Sequence, residues 1–565
     1  MDNKSIIDTF RLMAKLMELH EENPFKIRGY QNVVFNLEKL ETPLRDMSAA
    51  ELEAVAGKTF GPRIAGMVAG TTLPELAKLL ETTPEGVVRM MEVKGLGPKK
   101  IRTLWKDNDI TSPEQLLQAC NDNVIAKLKG FGEKTQDSIR ESLEFNNANA
   151  GKLLYSDAEE LGKLILEELR NQPETLIIEV SGELRLKSEI VDNLSFFVSS
   201  NDALSVHKVL DASALFMKDV SSSGPFAWRG TVKPSGIPVE FLVSPQNRFV
   251  SDVFMFSARP GHLLHQAEGI SLLQAARAET FTNEEDIYAR AGLPFIVPEM
   301  REGLHEFEWI KKHHNPELLT TADLRGVLHN HCTYSDGSHT LEQMALHARE
   351  LGYEYLGISD HSRTATYAGG LDIERVEQQQ REIDSLNKQM APFKIFKGIE
   401  SDILNDGSLD YPDEILATFD FIVASVHSVL NMDEERATRR LITAIENPYT
   451  TFLGHPTGRL LLKRGGYPND HKAIIDACAQ NNVIIEINAN PWRLDIDWRW
   501  VHYAMEKGVM LSINPDAHEK AGYADMYYGV CAGRKGGLTK AFTFNTKSLA
   551  EAEAWFSNKK SAVPV

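Results

Sequence analysis

Residues 321–565 repeat one pattern: a short apolar run, then a tight cluster of histidine and carboxylate. The clusters are Leu328-His329-Asn330-His331 with Asp336 close behind, Ser359-Asp360-His361, Gly398-Ile399-Glu400-Ser401-Asp402, Ser425-Val426-His427, Gly454-His455, and Asn514-Pro515-Asp516-Ala517-His518. Strands are expected at 355–358, 393–397, 421–424, 483–487 and 510–513, alternating with helical stretches. That βα rhythm predicts a largely parallel sheet or barrel. In a barrel of parallel strands, residues at the strand C-termini converge on one mouth. An H-x-H pair on a strand places both imidazoles on the same face. The nine residues expected to meet are His329, His331, Asp336, His361, Glu400, His427, His455, Asp516 and His518. Mixed imidazole and carboxylate ligands suit Zn²⁺, Mn²⁺ or Fe²⁺. Ten of the 17 histidines fall after residue 320, so imidazole is concentrated where the pattern is. His339, His347, His471 and His502 lack the strand-end setting and read as ordinary hydrogen-bonded residues.

At roughly 100–200 residues per domain, 565 residues imply about three to five domains. Polar, turn-rich joints at NNANAGK and HHNPELLTTAD give parts 1–150, 151–320 and 321–565. The net charge of −19 argues against a general nucleic-acid coat. Counted by part it is −2, −9 and −8, so the first part is nearly neutral. No run reaches the ~18 apolar residues of a membrane span, and the N-terminus lacks a signal pattern. It reads instead as an amphipathic helix with Ile6, Ile7, Phe10, Leu12, Met13, Leu16 and Met17 on its apolar side. Cys120, Cys332, Cys478 and Cys531 stand far apart without a CxxC, as expected for a reducing cytosol. A cytoplasmic protein without membrane contact is the expectation, and no protein partner can be read.

The first part is helical, with Gly-containing turns between apolar-periodic runs. Val93-Lys94-Gly95-Leu96-Gly97-Pro98-Lys99-Lys100 and Leu128-Lys129-Gly130-Phe131-Gly132-Glu133-Lys134 share one design: an apolar residue, a G-x-G turn, a helix start. A helix start offers unpaired N–H groups to a phosphate. Lys94, Lys99, Lys100, Arg102 and Lys106 form a basic stripe with no acid inside it. The DNA contacts expected here are Gly95, Gly97, Lys99, Lys100, Gly130, Gly132 and Lys134. The middle part mixes expected strands at 175–180, 194–198 and 239–243 with helices, which suggests α+β.

These segments resemble the helix-hairpin-helix elements of family X DNA polymerases. Asn23-Pro24-Phe25-Lys26-Ile27-Arg28-Gly29-Tyr30 looks like the start of that family's small domain, and Phe60-Gly61-Pro62-Arg63-Ile64-Ala65 like a degenerate further hairpin. Some members use a lysine just after it for lyase chemistry; Met67 stands there, and a Schiff base needs an amine. In the middle part, the stretch from Val180 to Ser195 resembles the family's nucleotide- and metal-binding strand, and 287–302 its thumb. The paired aspartates that nucleotidyl transfer needs for two metals fall on Asn193 and Ser195. A third falls on Glu240, and the triphosphate-binding positions on Glu183 and Leu186. The resemblance implies an intact polymerase-like scaffold without polymerase activity. A shifted metal site built from Asp192 and Glu240 is the alternative.

Residues 321–560 resemble the PHP (polymerase and histidinol phosphatase) domain, a distorted (β/α)₇ barrel, with all nine ligand positions filled; Glu486-Ile487-Asn488 also fits. The resemblance implies up to three divalent metals, with Mn²⁺ for activity and Zn²⁺ or Fe²⁺ as alternatives. His329, His331, Glu400 and Asp516 would hold one. Glu400 would bridge to a second held by His427 and His455, and Asp336, His361 and His518 would hold the third. Catalysis would use a metal-activated water with Glu400, His427 and Asp516 around it. Asp360 and Asp402 are candidates to orient ligand imidazoles, and Arg459, Lys463 or Arg493 to hold a substrate phosphate. The implied function is 3′–5′ exonuclease or 3′-end processing on gapped, nicked or 3′-recessed DNA in repair, base excision included. A gap-filling polymerase with an editing site and a small-molecule phosphatase are the rivals.

Overall fold

The computed structural model describes residues 3–37, 40, 42–93, 95–170, 177–267, 269–313 and 317–562. They fall into two compact units, 1–150 and 151–565. Lys94 of the basic stripe and the first residues of the strand expected at 175–180 lie outside the described residues.

In the first unit the N-terminal helix Asn3–Leu19 buries Ile6, Phe10, Met13, Leu16 and Met17. Part of that face joins Tyr30, Ile64 and Met67 in one apolar cluster. Leu16 and Leu19 join Val87, Ile101, Leu116 and Ile139 in a second. The two expected G-x-G turns are present. Gly95 (φ 84°) and Gly130 (φ 88°) take the left-handed conformation that a side chain resists. Gly97 and Gly132 cap the helices Pro98–Arg102 and Glu133–Asn149. A Cβ at any of the four would meet nothing within 4 Å, so both turns face open space. The third hairpin is displaced from its expected place. Phe60–Ala65 runs inside the helix Ala49–Val68, and the break falls earlier, at Gly57 (φ 78°, ψ 164°). Gly61 is close-packed instead: a Cβ there would meet the Glu53 backbone at 2.9 Å.

Besides two two-stranded pairings, the second unit holds two larger sheets. Five strands order as Ile177–Ser181, Leu194–Ser199, Ile237–Ser244, Ala227–Val232 and Phe216–Lys218, with Phe196, Trp228 and Phe241 packed at the centre. Seven parallel strands form the other: β1 (Gly326–Asn330), β2 (Tyr355–Ile358), β3 (Lys394–Asp402), β4 (Phe421–Ser425), β5 (Phe452–Leu453), β6 (Ile484–Asn488) and β7 (Leu511–Asn514). A single bridge, Asn330 to Ala517, brings the first strand against the chain just after the last, so the barrel nearly closes.

The strands are apolar on both faces, as parallel strands covered on both sides must be. One face (Val327, Leu356, Ile395, Ile422, Leu453, Ile485) joins the large core shared with the surrounding helices. That core continues through Tyr288, Trp309, Leu319 and Leu324, so residues on both sides of position 320 pack together. The other face (Leu328, Tyr355, Phe396, Phe421, Val423, Phe452, Ile484) packs with Phe544 and with Phe556 from the C-terminal helix Leu549–Ser561. Strand residues two apart share a face. Glu400 therefore follows Phe396 on this second face, and Glu486 follows Ile484. The face that packs on itself at one end of the strands presents carboxylates at the other.

Candidate metal centre

All nine expected ligands converge at the strand C-termini. Four overlapping groups have one ligand atom per residue within 4.8 Å of the others: His329, His331 and Asp516; His329, Glu400 and His455; His361, Glu400 and His427; His331, Asp336, His361 and His518. Glu400 stands between two sets of imidazoles. Its Oε1 lies 3.0 Å from His455, 3.1 Å from His427 and 3.3 Å from His329. Its Oε2 lies 2.9 Å from His361. Asp336 reaches His518 at 3.3 Å and His361 at 3.5 Å, and Asp516 reaches His331 at 3.0 Å. His331 thus sits with the Asp336 group as well as beside Asp516.

Strand alternation does not by itself place the first pair. His329 has φ 56°, and the β1–β2 register shifts between Val327 and Asn330. The bulge turns His329 inward, and the His329 and His331 rings lie 5.4 Å apart. Asp516 is also left-handed, at φ 53°. Such backbone costs on the order of 1–3 kcal/mol per residue and persists only where surrounding structure imposes it.

The electrostatics are those of a cation site. Burial opposes charge on every group, yet His427, Glu400 among its neighbours, is held up at about 10, with Asp402 adding to the effect. Burial likewise opposes charge on His518, but Asp336 and Asp516 hold it up at about 9. Burial, with His518 and His361 alongside, pushes His331 down to about 3. Glu400 and Asp516, although buried, are held well below the usual carboxylate range by the imidazoles around them. His329 Nε2, His331 Nδ1, His361 Nδ1, His455 Nδ1 and Glu400 Oε2 are buried without a hydrogen-bond partner. Buried ligand atoms left without partners carry a large desolvation cost. Divalent metals remove that cost, and the donor set fits them.

The surrounding residues sort differently from expectation. Asp402 does orient an imidazole, accepting from His427 Nδ1. Asp360 does not. It accepts from Cys332 N (2.9 Å), Ser335 N (3.1 Å), Ser335 Oγ and Gln379, and so fixes the turn between His331 and Asp336. Arg459 is not placed to hold a phosphate. Its guanidinium is committed to Glu189, to Asp497 (2.8 Å) and to the carbonyls of Arg493 (2.8 Å) and Leu494. Those bonds span two parts of the unit that lie far apart in sequence. Arg493 does face the site, 3.6 Å from Asp516. Lys463 lies 3.6 Å over the Trp492 ring.

Sequence reasoning gave Glu486 no role, yet it accepts from His329 Nδ1 (2.5 Å), Asn514 Nδ2 (2.9 Å), His455 N (3.1 Å) and Asn488 Nδ2 (3.0 Å). A carboxylate on the far nitrogen of a ligating imidazole fixes its tautomer and raises its basicity. The available signal was its position two residues after Ile484, on the ligand-bearing face.

Three family models match the chain: a helix-hairpin-helix domain over residues 1–70, a SAM-like helix-hairpin-helix tandem over 87–144, and a PHP domain over 328–490. The DNA polymerase/3′-5′ exonuclease PolX of Bacillus subtilis (strain 168) is 32% identical over a 574-residue alignment, which covers 98% of this chain and 99% of that protein. The chain belongs to the PolX family. A probable phosphatase of Thermoanaerobacter sp. (strain X514) is 25% identical over 256 residues, 42% of this chain and 97% of that protein. A probable phosphatase of Caldanaerobacter subterraneus is 28% identical over 214 residues, 34% of this chain and 77% of that protein. Asp516 and His518 lie beyond the PHP match, so convergence on the other seven is what places them in the site.

In this PolX-family chain the polymerase-like positions are filled by other contacts. Ser195 Oγ donates to Glu240 Oε1 at 3.0 Å and accepts from Ser181 Oγ at 2.9 Å. Arg229 takes the other Glu240 oxygen at 3.2 Å. Glu183 accepts from Asp192 N (2.8 Å) and Arg259 (3.3 Å), and Leu186 is buried. Asp192 is exposed, 3.6 Å from Lys152. Among the described residues, no three metal-ligand side chains cluster in this sheet. Met67 is buried in the apolar cluster of the first unit. Among the described residues, no helix is long and apolar enough to cross a membrane.

Proposed function

We propose that this chain is a metal-dependent phosphodiesterase that trims DNA 3′ ends in repair, working as a 3′–5′ exonuclease in the cytoplasm. The observation that carries the reading is the convergence of six imidazoles and three carboxylates, several buried with unpartnered ligand atoms, at one barrel mouth. The name of the Bacillus subtilis relative, a DNA polymerase/3′-5′ exonuclease, supports it. His329, His331 and Asp516, then Glu400 with His427 and His455, then Asp336, His361 and His518 would hold up to three ions, Mn²⁺ for activity, with Zn²⁺ or Fe²⁺ as alternatives. Metals so placed supply charge neutralisation of the phosphodiester and lower the pKa of water. The chain's own residues do the rest: Glu486 and Asp402 fix imidazole tautomers, and the turns at Gly95–Lys100 and Gly130–Lys134 bind the DNA backbone.

In this reading the three parts divide the labour: 1–150 grips DNA, 151–320 is a scaffold that has lost nucleotidyl transfer, and 321–565 hydrolyses. Ser195 and Asn193 offer no carboxylate for a second metal, and Arg229 and Ser195 occupy both oxygens of Glu240. The test is digestion of 3′-recessed DNA with Mn²⁺, with and without dNTPs. Shortening that disappears in His329→Ala and Glu400→Ala is expected. Primer extension would overturn the loss of polymerase activity, and undiminished digestion by either variant would overturn the site. The small-molecule phosphatase reading is favoured by relatives named probable phosphatases, which cover 34% to 42% of this chain. Faster hydrolysis of a phosphate monoester than of DNA would support it.

A further inference from the structure

Two aromatic side chains stand at the barrel mouth, and neither is used by the site as described. Tyr367 lies on the short turn Thr366–Ala368 after β2 and is 71% exposed. Its ring centroid is 6.4 Å from that of His361. Burial, with Asp402, Glu400 and Asp336 nearby, pushes its hydroxyl up and Arg493 opposes them, which places the ring in reach of the ligand cluster. The turn is fixed: Leu371 N donates to His361 O at 2.9 Å, Thr364 N to Asp410 at 2.7 Å, and Arg375 to Gly369 O at 2.7 Å.

Trp492 follows β6 and is 36% exposed. Its backbone is pinned by Asn490 Oδ1 at 3.0 Å and by Leu461 N at 2.6 Å. In the order of the seven strands, β2 and β6 are separated by β3 to β5 one way and by β7 and β1 the other, so the two rings flank the metal ligands from well-separated parts of the rim. Two cations stand at the Trp492 side. Arg493 stands 3.6 Å from Asp516, an ion-pair distance too long for a hydrogen bond, so its donors can take another anion. Lys463 sits over Trp492 itself. Rings with cations beside them are the elements of a single-stranded nucleic-acid groove, where bases stack on π-faces and cations meet phosphates.

We propose that Tyr367 and Trp492 each stack on an unpaired base at a DNA 3′ end, with Arg493 and Lys463 taking the adjoining phosphates. The site then requires frayed or single-stranded ends, because a base stacked on a protein ring has left its duplex neighbour. The subsite is indifferent to sequence, since every base has a π-face. This rests on the exonuclease reading above and specifies its substrate.

The experiment uses full-length protein with Ca²⁺ in place of Mn²⁺ and oligonucleotides carrying 2-aminopurine, whose emission falls when it stacks. Quenching is expected for the fluorophore at the 3′ terminus of a single strand and not in the middle of a duplex. Tyr367→Ala and Trp492→Ala should each lose quenching, and Tyr367→Phe and Trp492→Phe should keep it. With Mn²⁺, the KM for single-stranded DNA should rise about 5- to 150-fold per alanine, the equivalent of ~1–3 kcal/mol for one stack. Mn²⁺ affinity, followed by electron paramagnetic resonance, should not change. Unquenched 3′-terminal emission in the unsubstituted protein, or quenching that survives the double alanine variant, overturns the proposal. So does equal digestion of paired and mismatched 3′ ends. If the protein digests no DNA, the exonuclease reading fails, and the quenching result still decides the subsite.

Discussion

Replacing Glu486 with glutamine keeps shape and removes one acceptor. Glu486 is buried on β6 and accepts four hydrogen bonds, two per oxygen: His329 Nδ1 and Asn514 on one, His455 N and Asn488 on the other. Glutamine has one acceptor and one donor end, so two N–H groups must face an amide NH₂. Each buried donor left unpaired costs about 1–3 kcal/mol, which puts the loss of stability on the order of 2–6 kcal/mol. If the amide turns its NH₂ to His329, the imidazole must carry its proton on Nε2, the atom that faces Glu400 and Asp516. If it turns its oxygen there, a neutral acceptor replaces an ionised one and His329 becomes a weaker base. Either way, metal affinity should fall about 10- to 100-fold, as when a carboxylate behind a ligating imidazole is removed, or ~1.4–2.7 kcal/mol. Free Mn²⁺ measured by electron paramagnetic resonance gives the binding curve, and circular dichroism melts without metal give stability. The expected result is weaker Mn²⁺ binding, with digestion restored by excess metal. A Mn²⁺ curve within twofold of the unsubstituted protein would refute the orienting role.

Three further outcomes follow from the geometry. His427 (about 10), His518 (about 9) and His329 (well raised) carry protons in the metal-free fold that an unfolded imidazole of ~6.5 would not hold. Their stabilisation is complete below ~6.5 and is lost as pH rises through about 9 to 10, so the melting temperature of metal-free protein should fall between neutral and alkaline pH. Metals must displace the same protons, so calorimetry in buffers of different ionisation enthalpy should show proton release on binding and tighter binding at higher pH. Arg459→Ala leaves the half-buried to buried Glu189 and Asp497 without their main cation, and the second unit should lose about 3–5 kcal/mol; an unchanged melt would show the pairs to be inert. Replacing Lys99, Lys100 and Lys134 together with alanine should weaken DNA binding and lower the slope of log affinity against log salt by about 2.7; an unchanged slope would remove these turns from the interface.

The ligands were legible because each follows an apolar run, and runs apolar on both faces mark covered parallel strands. What stayed hidden involves backbone angle or long range. H-x-H does not disclose that His329 sits at φ 56° in a bulge, since no residue type announces that conformation at a histidine. β5, with two residues, is too short to show a period. The third hairpin was expected around Gly61, but the chain breaks at Gly57, and Gly61 is needed for close approach to Glu53. Arg459 read as a free cation for a substrate phosphate because its partner Glu189 is 270 positions away in sequence. Asp360 adjoins His361 in sequence but serves the turn after His331.

Glu189 also bears on the use of the polymerase-like sheet. It lies in the stretch that resembles the polymerase strand, and through Arg459 it secures the carbonyls of Arg493 and Leu494. Leu186, at a position where the family would grip a triphosphate, gives its carbonyl to buried Lys535 at 2.9 Å, and Lys535 also pairs with Glu302. Both contacts run from the sheet region to the barrel region of one compact unit. The loop that Glu189 steadies through Arg459 carries Trp492 and Arg493. A rim loop that moved by an ångström would misplace a stacked base and its phosphate relative to nine ligands fixed at the strand ends, and errors of that size cost about 10²-fold in rate. A scaffold that holds this loop still therefore contributes to hydrolysis even if it transfers no nucleotide, and on this argument Glu189→Ala should damage digestion of DNA more than it damages Mn²⁺ binding.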